Sequence, residues 1–422
     1  VRAIDALLAA TRQAATRHDH ASVLRHADTG IALGPASDLR AELMVRRAVA
    51  RHAQGLADEN ELLAAYEAAL AAGRIEDAVH TAYLLGEWAG YVASDAAAID
   101  SYTEIAYRLA VTQTPGNVTA LPAYTMAYRL VTQGRYVEAI ALADEEIARA
   151  RRAGAETAAA LLLVWRGSAR IELGDVDGVE EVREALAILS AHAHPKSAVT
   201  ASNLGHLYAA IGRLDDARAV FEQGRAWALR TGNAFADRIC ACGLARIVYY
   251  AGGRDEAGSL LQGLVAANSF DRSLEEIEHG YLALRQHPKE SLADARRALA
   301  YAESTGHVDM RLSALVLAAR AAHASGDRET TDAMLDGCVA WSREIGSRLM
   351  GGWSIAELAI VLAARDRHAE LADLTRRVVD SAWRDAARAL AERRYADASA
   401  IFADVPCLAL RDAADELARQ QV

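Results

Sequence analysis

The chain has 422 residues, 52% hydrophobic and 24% charged, which is the balance of a globular protein and not of a disordered one. Its formal net charge is −11 and no run of Lys or Arg offsets the excess of acid, which argues against direct nucleic-acid binding by the chain as a whole. The longest apolar stretch, Ala158 to Trp165, is too short to span a bilayer, so no membrane partner is expected.

The opening residues, VRAIDALLAATRQAATRHDH, carry an acid at Asp5 and no apolar block before a small-residue cleavage site, so no signal peptide is expected. The four Cys are scattered, with Cys240 and Cys242 the only close pair, which implies neither a disulfide framework nor a zinc site. A reducing, cytoplasmic setting is the expectation.

Along the chain, abundant Ala with only 6 Pro predicts helices that pack closely. Two interleaved sets of breaks divide them. One set falls at 55, 93, 134, 174, 212, 252, 290, 326 and 364, in steps of 36 to 41 residues. Its clearest copies read GRYVEA at 134–139, GDVDGV at 174–179, GRLDDA at 212–217 and GGRDEA at 252–257, with KESLADA from 289, GDRETT at 326–331 and RRYADA at 393–398 as looser ones. The other set is Gly34, Gly73, Gly116, Gly154, HAHP at 192–195, Gly232, Asn268, Gly306 and Gly346, spaced by 36 to 43 residues. One set marks turns inside helical hairpins and the other marks turns between them, a periodicity that indicates a repeat array.

The stretch NLGHLYAAIGRLDDARAVFEQGRAWA at 203–228 shows how one unit is built. Leu204, Tyr208 and Ile211 share a helix face, and Gly212 ends that helix because it accepts the left-handed conformation without a Cβ penalty. Asp215 and Asp216 favour the start of the next helix, whose inner face is Ala217, Phe221 and Gly224. Gly205 and Ala217 are small where the two helices must come closest. The whole chain reads as all-α, with about eleven such hairpins.

The arrangement of Leu204, Gly205, Tyr208, Ala217 and Phe221 resembles the tetratricopeptide repeat, and Trp227 and Trp341 share one repeat position. The resemblance implies a right-handed α-solenoid, a single array over 1–422. Its repeats match weakly over 1–93, clearly over 94–346 and in degenerate form over 347–422, where a capping helix is expected. The period of 38 to 40 is longer than the family's 34 and is similar to that of the C-terminal regions of bacterial LuxR-type and MalT-type ATP-binding regulators and of multidomain nucleotide cyclases.

Catalytic signatures are missing: there is no G-x-x-x-x-G-K-[ST], H-E-x-x-H or G-x-S-x-G. Asp28-Thr29-Gly30 lies in a helical pattern without a second copy, and His18-x-His20 and His192-x-His194 lie at expected turns without a third ligand nearby. Cys240 and Cys242 read as small buried hydrophobes, and the six Trp as packing groups. No enzyme activity, cofactor or metal is expected.

In the resemblance, ligand-facing positions of the first helix of each hairpin lie about six and three residues before its turn. Six before gives Tyr128, Ser168, His206, Arg246, Leu284 and Arg320; three before gives Val131, Ile171, Ala209, Tyr249, His287 and His323. The candidate groove residues are therefore His206, Arg246, Tyr249, His287, Arg320 and His323, with an aromatic column of Tyr124 and Tyr128 as the alternative site. Arg forks suit carboxylates or phosphates and Tyr offers a stacking face, so an acidic protein or peptide partner is expected. The implied role is non-enzymatic recognition within a larger cytoplasmic bacterial regulator. Two other readings stand beside it: a control region for a nucleotide cyclase or ATPase whose catalytic domain lies outside this chain, and a superhelix that encloses a small molecule.

Overall fold

The computed structural model describes residues 2–17, 19–54, 56–112, 117–349 and 352–420, which hold twenty-three α-helices, one π-helical turn and no strand. In chain order they begin with α1 (Arg2–Thr16), α2 (His20–Ala32), α3 (Ser37–Ala53), α4 (Glu59–Ala71), α5 (Ile75–Trp88) and α6 (Ala96–Val111). Then follow α7 (Asn117–Thr132), α8 (Tyr136–Arg152), α9 (Glu156–Glu172), α10 (Gly178–Ala191), α11 (Ser197–Ala210) and α12 (Leu214–Thr231). Next are α13 (Ala234–Tyr250), α14 (Arg254–Leu261), α15 (Ser269–Ala283), α16 (Pro288–Thr305), α17 (Val308–Ala324) and α18 (Arg328–Ile345). The chain closes with α19 (Trp353–Ala364), α20 (His368–Thr375), α21 (Ala382–Ala391), α22 (Tyr395–Asp404) and α23 (Leu408–Gln420). Read in order, α1 to α22 make eleven helix–turn–helix units and α23 follows them. The architecture is an all-α helical-repeat solenoid.

Most breaks sit where the spacing places them. Gly134, Gly174, Gly212, Gly252 and Gly326, inside hairpins, and Gly34, Gly73, Gly154, Gly232, Gly306 and Gly346, between them, all have positive φ. At four places where the pattern has no Gly another residue takes the same conformation: Ser94, Ala193, Asp366 and Arg393 have φ of 50° to 59°. Asn268, the break before α15, is instead extended and accepts the Asp271 N–H with its side chain. The turn expected at 290 is displaced. α16 already begins at Pro288, so the turn occupies 284–287. Proline suits the first helical position because its missing N–H has no partner there anyway, and KESLADA is helix. The expected break at Gly116, the turn at 55 and His18 lie outside the described residues.

Contacts group the chain into two compact units, Val1–Arg129 with Ala148–Ala158, and Leu130–Ile147 with Ala159–Val422. In the first, Leu8, Ala27 and Leu43 join α1, α2 and α3, while Val45, Leu62, Ala69 and Leu85 join α3, α4 and α5. Its buried carboxylate is Glu42, only 1% exposed, which accepts Arg12 Nε at 2.6 Å and lies 2.8 Å from Arg46 and 3.1 Å from Arg74. The Arg12 hydrogen bond, acting against burial and reinforced by Arg46, lowers this carboxyl to about 2.

The second unit is built on close backbone approach. A Cβ on Gly205 would lie 2.7 Å from the Phe221 ring, and one on Gly243 would lie 2.4 Å from it. Phe221, on α12, thus fills the space that two glycines of α11 and α13 leave open. Later segments then settle on the hairpin turns of earlier ones. Ile345 meets Gly134, Arg348 and Val379 meet Gly174, Ala382 meets Gly212, and Leu408 meets Gly252. Gly352, with φ of 61°, approaches so closely that its Cβ would lie 2.2 Å from the Ala210 Cα. Trp383, fully buried, donates from Nε1 to the Ala209 carbonyl at 2.8 Å. Hairpins separated by well over a hundred residues therefore share one core.

Candidate functional site

The inner faces of α11, α13, α15, α17 and α19 converge in the second unit. Arg246 of α13 is 2% exposed and donates to Glu278 of α15 from Nε at 2.9 Å and from Nη2 at 3.0 Å. Its guanidinium carbon lies 3.4 Å from the centre of the Tyr281 ring, with Trp353 at 5.8 Å and Tyr250 at 6.0 Å. A planar cation stacks on aromatic faces in this way while its fork engages a carboxylate. Beside it, Glu357 of α19 is fully buried and collects three donors: Tyr250 hydroxyl at 2.5 Å, Tyr281 hydroxyl, and Arg320 Nη1 at 3.2 Å. Two guanidiniums and two carboxylates balance in charge, and hydrogen bonds lessen the cost of burying them.

This network has a side open to water. Glu278 and Arg320 side chains keep 12% and 11% of their surface. His206 of α11 is exposed, yet burial, with Arg246 adding to it, lowers its imidazole to about 4. The ring is thus partly enclosed by protein. It packs edge-on to Phe221 at 5.0 Å and to Trp353 at 6.3 Å between centroids, and it is neutral at pH 7. Tyr249 is half-buried, its ring 5.9 Å from that of Tyr281, and burial raises its hydroxyl pKa.

The structure brings together four of the six expected residues: His206, Arg246, Tyr249 and Arg320. Arg246 and Arg320 already have carboxylate partners within the chain. His323 is exposed in the last turn of α17, where burial, aided by Arg365 and Arg320, lowers its pKa. His287 is a correction: it caps α16 in the displaced turn, with its side chain 58% exposed and Nδ1 3.8 Å from Glu290. The wall positions of that hairpin belong to Glu278 and Tyr281, which counting back from 290 passed over. Tyr250, Trp353 and Glu357 were also missed. Glu357 had a readable signal, as the one charged residue of WSIAELAIVLAA, an otherwise apolar helix.

The first unit has a smaller polar group on its own helices. Glu87 of α5 accepts the Tyr83 hydroxyl and lies 3.2 Å from His52 Nε2 of α3, and a π-helical turn, Ala89–Ala93, follows directly. Tyr124 of the alternative aromatic column is 6% exposed and Tyr128 is half-buried. His192 and His194 stay in their turn, where His194 Nδ1 accepts the Lys196 N–H at 3.1 Å. Cys240 and Cys242 are buried free thiols. Among the described residues no group of three or more His, Cys, Asp or Glu could hold a metal ion, and no helix is long and apolar enough to cross a membrane.

No protein-family model matches the chain, and no curated protein matches it. Solved structures do. A Rap protein complexed with Competence and Sporulation Factor aligns at 10% identity over 86% of this chain and 97% of its own, with a TM-score of 0.53. The apo quorum sensor NprR from B. thuringiensis aligns at 12% identity over 82% and 98%, with a TM-score of 0.41. Yeast Tom70 aligns at 11% identity over 97% and 88%, with a TM-score of 0.34. At 10% identity the likeness to the Rap protein is one of fold alone, a tetratricopeptide-type helical-repeat fold.

Proposed function

We propose that this chain is a non-enzymatic recognition scaffold that takes a protein or peptide segment against the inner wall of its second unit. The observation that carries the reading is the water-accessible face of the buried network, where His206, Tyr249, Glu278 and Arg320 lie side by side with part of their surface open to water. Such a wall offers donors and acceptors for a peptide backbone and an aromatic face for a side chain. The Rap neighbour, itself a complex with Competence and Sporulation Factor, supports a bound partner for this class of fold. Because Arg246 and Arg320 are committed to Glu278 and Glu357, the wall is mixed in charge, and acidity of the partner rests on the unshared donors of Arg320.

The wider role we infer is that of the sensor or interaction region of a cytoplasmic bacterial signalling or transcriptional regulator, supported by the long repeat period and the Ala- and Arg-rich helices. A peptide library containing neutral, acidic and phosphorylated members, screened on the purified chain and followed by calorimetric titration, tests it. At least one segment binds, and His206→Ala weakens that binding tenfold or more without lowering the melting temperature. A folded chain that takes no member of the library would sink the proposal. Selective binding of a small metabolite instead would favour an enclosed-ligand role.

A further inference from the structure

The inner wall continues past Arg246 toward the N-terminal end of α15. Asp271, Glu275 and Glu278 stand four and three residues apart on that helix, which lines them up along one edge. Arg238 and Arg246, about two turns apart on α13, meet them. The pairing is unequal. Arg246 gives two donors to Glu278, at 2.9 and 3.0 Å. Arg238 is divided among three acceptors: Nη1 donates to Asp271, Nη2 donates to the Val265 carbonyl, and only Nε is left for Glu275. That last contact, at 3.2 Å, lacks hydrogen-bond geometry, so Glu275 Oε1 is buried without a hydrogen-bond donor among the described residues. Arg238 is held where it is, because fully buried Asp271 also accepts the Ala267 N–H at 3.1 Å and so cannot follow it.

Burial separates the two signs of charge. The Arg238 and Arg246 side chains keep 7% and 2% of their surface, whereas Glu275 and Glu278 keep 13% and 12%, so the carboxylates are what water reaches. Buried Cys242 lies between the two arginines on α13, within electrostatic reach of all three acids. A further basic group, exposed His279, faces Glu275 from one turn along α15 and is shared with Asp294 of α16. The ion pairs that link α13, α15, α17 and α19 join three guanidiniums, Arg238, Arg246 and Arg320, to four carboxylates, Asp271, Glu275, Glu278 and Glu357. One negative charge is left over, and it falls on Glu275, the member with the poorest partner. An under-paired acid in a largely buried network is costly, and a cation brought by a ligand removes that cost on binding.

We propose that Glu275, with Glu278 beside it, is a cation subsite of the inner wall, and that the bound segment seats an arginine or lysine side chain there. The subsite rests on the reading that this wall takes a protein or peptide segment, and it assigns the charge of one side chain of that segment. Its sign is opposite to the acidic partner expected from Arg246 and Arg320, because those arginines are neutralised within the chain and the acid that faces water is not. Arginine fits better than lysine, since its planar fork can engage two carboxylates one helical turn apart.

A random peptide library displayed on phage, selected on the purified full chain and on Glu275→Gln, tests the subsite. The native chain enriches sequences with Arg or Lys at one fixed position. Replacing that residue by citrulline in a synthetic binder, which removes the charge and keeps the shape of Arg, weakens binding about tenfold or more, the worth of one charge-assisted contact. In Glu275→Gln the same replacement has no effect. Binders without a fixed basic position overturn the subsite and leave the recognition reading intact, whereas a native chain that selects no binder overturns both. A variant that loses affinity for charged and citrulline peptides alike also overturns it, since that is the mark of a merely structural role. If Glu275→Gln does not fold, carbodiimide coupling of a Lys-bearing binder to the native chain decides: the bond forms at Glu275 or Glu278, and coupling only elsewhere overturns the proposal.

Discussion

The Arg246 guanidinium and the Glu278 carboxylate are joined by two hydrogen bonds, 2.9 and 3.0 Å long, between helices of successive hairpins. Arg246 is thus a core residue with an internal partner, and its removal acts on stability before it acts on any ligand. Arg246→Met leaves Glu278 buried without its cation and costs about 3–5 kcal/mol in denaturant titration. Arg246→Met combined with Glu278→Leu removes both charges and recovers most of that loss. Equal stability of single and double variants would show that the pair does not interact in solution.

Phe221 on its two glycines gives a packing test. Gly205→Leu must displace a ring that already lies 2.7 Å from the position of a Cβ, and overpacking of this kind costs about 1–3 kcal/mol. An unchanged melting curve would mean that α11 and α12 do not meet there.

Two glycines with positive φ separate conformational strain from crowding. Gly326 has nothing within 4 Å of its Cβ position, so Gly326→Ala pays only for the left-handed backbone, about 1–2 kcal/mol. Gly352→Ala pays that and also pushes against Ala210, so its loss is larger by about 1–3 kcal/mol. Paired thermal melts decide the order, and a Gly352→Ala loss no larger than that of Gly326→Ala contradicts the close approach.

Glu42 sets an acid limit on the first unit. Its folded pKa, lowered to about 2 chiefly by the Arg12 hydrogen bond, lies below the ordinary 4.5. The unfolded chain therefore takes up the proton first, and the stabilisation, complete above about pH 4.5, is lost as pH falls toward 2. Glu42→Gln removes this dependence and costs about 1–3 kcal/mol at pH 7. A variant with the same acid profile as the native chain would remove Glu42 from its cause.

The helices, their turns and the closest contacts within a hairpin were legible because each depends on residues near in sequence. Gly212 ends α11 by its own backbone freedom, and Gly205 admits the Phe221 ring from the other helix of the same hairpin. The turn before α16 escaped this logic because Pro288 starts the helix four residues before the K-E-S-L pattern suggests.

The composition of the inner wall was decided only by the tertiary structure. Each hairpin adds a small rotation to the stack, and after several the sum determines which helices face one another. Tyr250 reaches Glu357 across 107 residues, Ser347 reaches Glu172 across 175, and Trp383 reaches the Ala209 carbonyl across 174. Periodicity announces that an array exists and where its turns fall. It does not announce the accumulated angle, and that angle gives Arg320 an acid of its own chain.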